Sequence, residues 1–259
     1  MNMDAYYTNP QVAISLSKYI KKYINIDYEN DFIIEPSAGS GAFIKPINEL
    51  CKNRIFIDIQ PGNKNILEMD YLDYNYNGSF NKVHIIGNPP FGKRCSMAIK
   101  FIKKSCEFCD TFSFILPNSF NKKSIQNSIP YNFHLLFSIN LPKHSFIYEG
   151  NDVDVPCIFQ IWIKKENLRE KIQKIDANGF QFVDKKNADI SIRRVGYYAG
   201  KISKNIDDKN ENTHYFIKFD KKNEIIDIGD IKIKSRTYTT GPYSITKNDV
   251  IKYLNKRNK

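Results

Sequence analysis

At 259 residues the chain is long enough for one large core with a smaller appendage, and no apolar run approaches the roughly 20 residues of a membrane span. Five cysteines, an odd number at irregular spacings, fit reduced thiols in a cytoplasmic compartment better than a disulfide framework. The formal charge of +11 is lopsided: residues 1–163 hold 16 Lys and Arg against 15 Asp and Glu, whereas residues 164–259 hold 23 against 13.

Met1–Asp4 shows no basic region leading into an apolar core, so no signal peptide is expected. Asn9-Pro10 predicts a helix start, with Asn9 as cap, and Val12, Leu16, Tyr19, Ile20 and Tyr23 follow at helical spacing. Phe32-Ile33-Ile34 reads as a short buried strand ending in Glu35, with a helix expected over Ala42–Cys51. Arg54–Asp58 is a second strand ending in an acid, Lys82–Gly87 a third, Ser96–Phe108 a helix, and Thr111–Leu116 a fourth strand stopped by Pro117. Cys106 and Cys109 form a CxxC, but no second pair completes a tetrahedral zinc site, so they read as packing residues and no metal is expected. The alternation predicts an α/β fold with a parallel, doubly wound, Rossmann-like sheet.

The rhythm then changes. Phe133–Ile139 and Val155–Lys164 are two strands separated only by a loop containing Gly150, which predicts a hairpin on one edge of the sheet. Short strands are expected at Ile190–Arg194, His214–Phe219 and Ile231–Ile233, and a last helix near Thr246, capped with Asp249. Residues 1–165 are therefore expected to form one domain and residues 166–259 a small basic β-rich module.

Two stretches carry chemistry. Glu35-Pro36-Ser37-Ala38-Gly39-Ser40-Gly41 places a glycine turn after a buried strand, where backbone can approach a ligand closely. Asp58, at the next strand end, suits hydrogen bonding to ribose hydroxyls, and Asp70 suits an adenine amino group; a turn or helix-cap acid is the alternative for both. Asn88-Pro89-Pro90-Phe91 follows the third strand. There the Asn88 side-chain oxygen and the Pro89 carbonyl can accept both hydrogens of a planar amino group, while Phe91 offers a stacking face. Two prolines hold those acceptors in an extended backbone. Lys93 and Arg94, just beyond, suit a flanking phosphate; a helix-start surface explains them equally well. In the basic third, Arg193-Arg194-Val195-Gly196-Tyr197-Tyr198 and Lys232–Tyr238 interleave cations with aromatics, a pattern suited to phosphate contacts and base stacking and also to amphipathic strands.

With these motifs the chain resembles the S-adenosylmethionine-dependent amino-methyltransferases, and most closely the N6-adenine DNA methyltransferases of the gamma motif order. The resemblance covers residues 6–163. Tyr6-Tyr7-Thr8-Asn9-Pro10 is similar to that family's N-terminal cofactor motif, which implies that Tyr7 and Thr8 help hold the methionine part of S-adenosylmethionine. Glu35, Pro36, Ala38, Gly39 and Gly41 match the glycine motif, Asp58 with Ile59 the ribose step, Asp70-Tyr71 the adenine step, and Asn88–Phe91 the catalytic tetrapeptide. Asn88 would also border the cofactor. Phe146 stands at the place of an aromatic that packs on a flipped base. The resemblance implies a seven-stranded methyltransferase sheet, and DNA more readily than RNA as partner.

Phe91 replaces the commoner tyrosine, keeping the stack and losing a hydroxyl, and residues 166–259 are shorter than many recognition domains of that family. Pro156-Cys157 echoes the nucleophile of cytosine-C5 enzymes, but Cys157 lies inside a later apolar strand and reads as core. Three alternatives stay open: the same chemistry on RNA, glutamine methylation of protein, and a catalytically silent nucleic-acid-binding subunit.

Overall fold

Parallel strands need a crossover to return the chain to the same end of the sheet, and the first part of this chain supplies them repeatedly. The computed structural model describes residues 6–170, 175–221, 229–239 and 241–257; the stretch Met1–Asp4 lies outside them. The chain divides into two units, Met1–Lys171 and Ile172–Lys259.

The first unit runs β1 (Tyr7–Thr8), α1 (Pro10–Tyr23), β2 (Phe32–Glu35), α2 (Ile44–Asn48), β3 (Arg54–Asp58), β4 (Leu67–Glu68), β5 (Val83–Gly87), α3 (Ser96–Cys106), β6 (Thr111–Pro117), α4 (Lys123–Gln126), β7 (Phe133–Asn140), β8 (Phe146–Tyr148), β9 (Asn151–Val153) and β10 (Cys157–Lys164). Seven strands form a Rossmann-like sheet in the order β4-β3-β2-β5-β6-β10-β7. From β4 to β6 all neighbours are parallel, and β10 runs antiparallel to both β6 and β7.

Both faces of the sheet are covered, which is why its strands read as continuous apolar runs rather than alternating ones. Ile33, Ile86, Ile115 and Phe159 pack on one face with Ala13, Leu16 and Ile20 of α1 and Ile47 of α2. Ile34, Ile85, Phe112, Phe114 and Trp162 pack on the other with Ala98, Phe101 and Ile102 of α3. All five cysteines are free and buried, so Cys106, Cys109 and Cys157 are packing residues.

The expected edge hairpin is more elaborate. β10 inserts between β6 and β7, and the loop between β7 and β10 carries its own hairpin, β8–β9, turned at Glu149 and Gly150 with φ of 49° and 78°. β8 pairs with β1, Tyr7 opposite Ile147 and Thr8 opposite Phe146. The helix expected over Ala42–Cys51 is only α2, because the chain first spends residues 38–43 in turns. Gly41 N–H donates to the Ala38 carbonyl at 2.7 Å and Ile44 N–H to that of Gly41 at 3.1 Å.

The second unit holds β11 (Phe180–Phe182), β12 (Ile190–Arg193), β13 (Ile202–Ser203), β14 (His214–Phe219) and α5 (Lys247–Arg257), the strands in the antiparallel order β11-β14-β12-β13. Val250, Ile251 and Leu254 of α5 share a core with Phe180, Ile192 and Ile217. Thr246 and Asp249 cap α5 reciprocally: Thr246 N–H donates to Asp249 Oδ2 at 2.8 Å, and Asp249 N–H to Thr246 Oγ1 at 3.2 Å. Ile231–Ile233, expected as a strand, joins no ladder; Ile231 is buried and its N–H bonds the Gly200 carbonyl at 2.9 Å. Among the described residues no helix is long and apolar enough to cross a membrane.

Candidate functional site

Because β2 and β5 are parallel neighbours, with Ile34 opposite Ile85, the segments leaving them emerge side by side at the carboxyl end of the sheet. The glycine turn follows β2 and the Asn-Pro-Pro-Phe corner follows β5. Ser37 Oγ ties them together by donating to the Asn88 carbonyl at 3.0 Å. A Cβ on Gly87 would meet Glu35 Cγ and Pro36 Cδ at 3.4 Å, ordinary contact that shows how near the two strand ends lie.

Asp58, at the end of β3, organises the glycine turn. Its Oδ2 accepts from Gly39 N–H at 2.7 Å and its Oδ1 from Gln60 N–H at 2.8 Å. Gly39 has a φ of +53° and Gly41 of +90°, backbone that glycine adopts without strain. The Tyr7 ring lies over this turn: a Cβ on Gly39 would come within 3.0 Å of it. Ala38 is buried, while Ile59, beside Asp58, is 46% exposed.

Two acceptors in this small region have no partner. Glu35 is fully buried, and its Oε2 makes no hydrogen bond. Burial, and secondarily the charge of Asp58, push its carboxyl well above the usual carboxylate range. The Asn88 side-chain oxygen is likewise buried and unsatisfied, although its Nδ2 sits 3.4 Å from the Tyr6 carbonyl. An unsatisfied buried acceptor costs about 1–3 kcal/mol, so two of them flanking a glycine turn form a place prepared for donors that arrive with a ligand. Tyr7, Glu35, Gly39 and Asp58 thus fit a nucleoside-type cofactor carrying positive charge and hydrogen-bond donors, while the Asn88 oxygen fits a separate donor such as an amino group.

At the corner itself Pro89 is buried, whereas Pro90 and Phe91 are half-buried. The Phe91 carbonyl accepts from Met97 and Ala98 N–H at 3.2 and 3.3 Å, anchoring the corner to α3. Lys93 and Arg94 are exposed on the following turn, where Arg94 has a φ of 54° and Cys95 of 65°. Departures of this kind cost of order 1–3 kcal/mol each, and here they follow the Asn-Pro-Pro-Phe corner directly.

Two expectations are corrected. Tyr71 lies in the core, 1% exposed, its hydroxyl 2.8 Å from Ser105 Oγ, and burial raises its pKa; no face is open to an adenine. Phe146 is also 1% exposed and packs in the core opposite Thr8, so it has no surface for a flipped base. Asp70 is exposed and caps the turn over Tyr71–Asp73 by accepting from Leu72 N–H at 2.8 Å. Thr8 is 6% exposed and serves as a strand residue.

Some contributors escaped the sequence reading. Ser37, the strap to Asn88, stood inside the glycine motif and was legible in principle. Tyr148 was not: its ring lies 5.3 Å from that of Tyr6, a contact created by the pairing of β1 with β8. Arg193 and Arg194 belong to the second unit, where Arg193 Nε donates to the Val195 carbonyl at 3.1 Å and Arg194 lies over the Tyr215 ring at 5.5 Å. Among the described residues no group of three or more His, Cys, Asp or Glu side chains is placed to hold a metal ion.

No protein-family model matches the chain, and no curated protein does. Solved structures similar to it include a candidate class I S-adenosylmethionine-dependent methyltransferase from Listeria monocytogenes, 12% identical, with a TM-score of 0.49 over 69% of this chain and 67% of that one. A candidate RNA methyltransferase from Pyrococcus horikoshii is 16% identical, with a TM-score of 0.49 over 62% and 87%. A type I restriction-modification methyltransferase subunit from Streptococcus thermophilus is 12% identical, with a TM-score of 0.42 over 63% and 45%. The chemistry rests on the site residues.

Proposed function

We propose that this protein transfers a methyl group from S-adenosylmethionine to the N6 amino group of adenine in DNA. The observation that carries the reading is Asn88 Oδ1, a buried acceptor without a partner, on a proline-stiffened corner strapped to the glycine turn. When bound, S-adenosylmethionine supplies an electrophilic methyl group on a sulfonium centre. Tyr7, Glu35, Gly39, Gly41, Asp58, Ile59 and Asp70 are the residues assigned to hold it.

An exocyclic amine is a poor nucleophile because its lone pair is delocalised into the ring. Asn88 Oδ1 and the Pro89 carbonyl accept its two hydrogens and turn the lone pair out of the ring plane. Such acceptors act before the reaction begins and cost no reorganisation during it. An amide cannot take a proton at neutral pH, so the surplus amino proton leaves to solvent after the carbon–nitrogen bond forms. Phe91 offers an aromatic face to a base flipped out of its stack. Lys93 and Arg94 are assigned to the flanking phosphate, and the second unit, with Arg193 and Arg194, to target recognition.

The test supplies labelled S-adenosylmethionine with unmodified DNA and total RNA in parallel, followed by nucleoside mass spectrometry. N6-methyladenine in the DNA supports the proposal; label confined to RNA overturns the substrate, and label in neither overturns the activity. Asn88→Ala is expected to lower turnover by about 10²–10³-fold while the cofactor dissociation constant, read by calorimetry, stays within severalfold. Near-normal turnover in that variant would rule out the mechanism.

A further inference from the structure

The second unit carries 19 Lys and Arg against 11 Asp and Glu, and it displays three tyrosines on its surface. Tyr197 is 76% exposed, Tyr198 60% and Tyr243 37%, although rings of this size normally bury most of their area. They are neighbours. Tyr197 meets Tyr198 edge-on at 5.1 Å and lies nearly parallel to Tyr243 at 6.5 Å, with 22° between the planes.

The backbone beneath them is fixed. Gly196 N–H donates to the Tyr243 carbonyl at 2.8 Å, and Gly200 N–H to that of Arg193 at 2.7 Å. A Cβ on Gly200 would fall 2.2 Å from the Ile231 carbonyl oxygen, so only glycine permits this turn. The rings are thus held outward by a rigid loop rather than left over from a failed core. Cations edge the cluster: Arg236 lies 5.5 Å over Tyr243, and Lys201 Nζ 5.5 Å over Tyr198.

Next to the rings is a cavity of about 320 Å³, with Tyr198 in its wall together with Arg193, Lys201 and Lys209. Its one acid, Asp208, is held by Lys209 at 2.7 Å, which also keeps the Asp208 carboxyl below its usual range. Aromatic faces beside a cationic hollow match a nucleotide whose base is exposed and whose phosphate lies alongside. Bases inside a duplex hide their faces in the stack, so rings such as these meet a strand only where it is unpaired.

We infer that Tyr197, Tyr198 and Tyr243, with the cavity of Arg193, Lys201 and Lys209, form a binding site for an unpaired DNA strand. The assignment of DNA rests on the activity proposed above; the stacking site does not need that activity.

The test measures binding of the full-length protein, without cofactor, to fluorescent oligothymidylate, a mixed-sequence duplex and oligouridylate. Oligothymidylate contains no adenine, so its binding is independent of methyl transfer. The expected result is at least tenfold tighter binding of oligothymidylate than of either competitor, weakened roughly tenfold by each of Tyr197→Ala and Tyr198→Ala. Both rings are exposed, so melting temperature and S-adenosylmethionine affinity should be unchanged in these variants. Preference for the duplex or for oligouridylate, or tyrosine variants that bind oligothymidylate as wild type does, would overturn the inference. Methyl transfer failing while the tyrosine-dependent binding persists would overturn the proposed activity alone.

Discussion

Glu35 shows how a single residue can be unfavourable in the empty protein and useful in the loaded one. Its carboxyl is raised by burial first and Asp58 second, so the empty site favours its neutral form. On the proposed function the cofactor's cation beside it would favour the ionised form, so that binding would release a proton. On the proposed reading, S-adenosylmethionine affinity falls as pH drops through the raised Glu35 pKa. Calorimetry in buffers of different ionisation enthalpy should count that proton, and Glu35→Gln should flatten the profile at weaker affinity. The same shift bears on folding. A carboxyl whose pKa is raised by folding has its full stability below the ordinary carboxylate range and loses stability as pH rises through the raised value. Thermal melts of the empty protein should accordingly show a smaller loss in Glu35→Gln than in wild type as pH rises above the ordinary carboxylate range. A wild-type slope equal to that of the variant would contradict both expectations.

At the scale of elements, the far end of the sheet is pinned by a buried polar triad. His84 of β5 lies 2.8 Å from Thr111 Oγ1 of β6 and 3.1 Å from Asp31 Oδ2, just before β2. A carboxylate only accepts, so Nε2 carries the proton and Nδ1 accepts from Thr111. Burial lowers the His84 pKa despite the opposing effect of Asp31. The unfolded chain therefore takes up a proton first, and stability is lost as pH falls below about 6.5. The difference in melting temperature between pH 7 and pH 5.5 should shrink in His84→Gln. A second element depends on Gly200, whose φ of +99° and closeness to Ile231 leave no room for a side chain. Gly200→Ala should destabilise the second unit by about 3 kcal/mol, read as earlier loss of amide protection in Ile190–Arg193 and His214–Phe219.

Elements were legible where local pattern and tertiary context agree. Arg54–Asp58 and His214–Phe219 match their expected bounds, because each is a short apolar run closed by turn residues. Asn9 and Thr246 cap their helices as their side chains dictate; Asn9 Oδ1 accepts from Gln11 N–H at 3.0 Å. What stayed hidden came from distant pairing. Two residues, Tyr7 and Thr8, show no period, and only β8 makes them a strand. Phe146 read as a site aromatic because its loop assignment concealed the buried side of that strand.

For the whole molecule, the uneven charge has a measurable consequence. If Arg193 and Lys201, the cavity cations not already held by Asp208, each neutralise one phosphate of a single strand, a plot of log affinity against log salt should have a slope of about −1.4. Lys201→Gln should reduce its magnitude by about 0.7. A slope near zero would assign these cations to surface solvation alone. Most of the sheet and the adjacency of the two motifs could be inferred from sequence, since neighbouring strand ends carry them. The orphan acceptors could not, because being unsatisfied is a property of surroundings rather than of any one residue.

The pairing of β1 with β8 also sets an order in time. Asn9 N–H bonds the Ser145 carbonyl at 2.9 Å, and its side chain reaches His144, 135 residues further on. At roughly 5–20 residues per second, the partner of Tyr7 and Thr8 leaves the ribosome on the order of ten seconds after they do. Until then Tyr7 and Thr8 have no strand partner, so the ring over the glycine turn is seated by β8, a strand made well after β1 and lying outside the seven-stranded sheet.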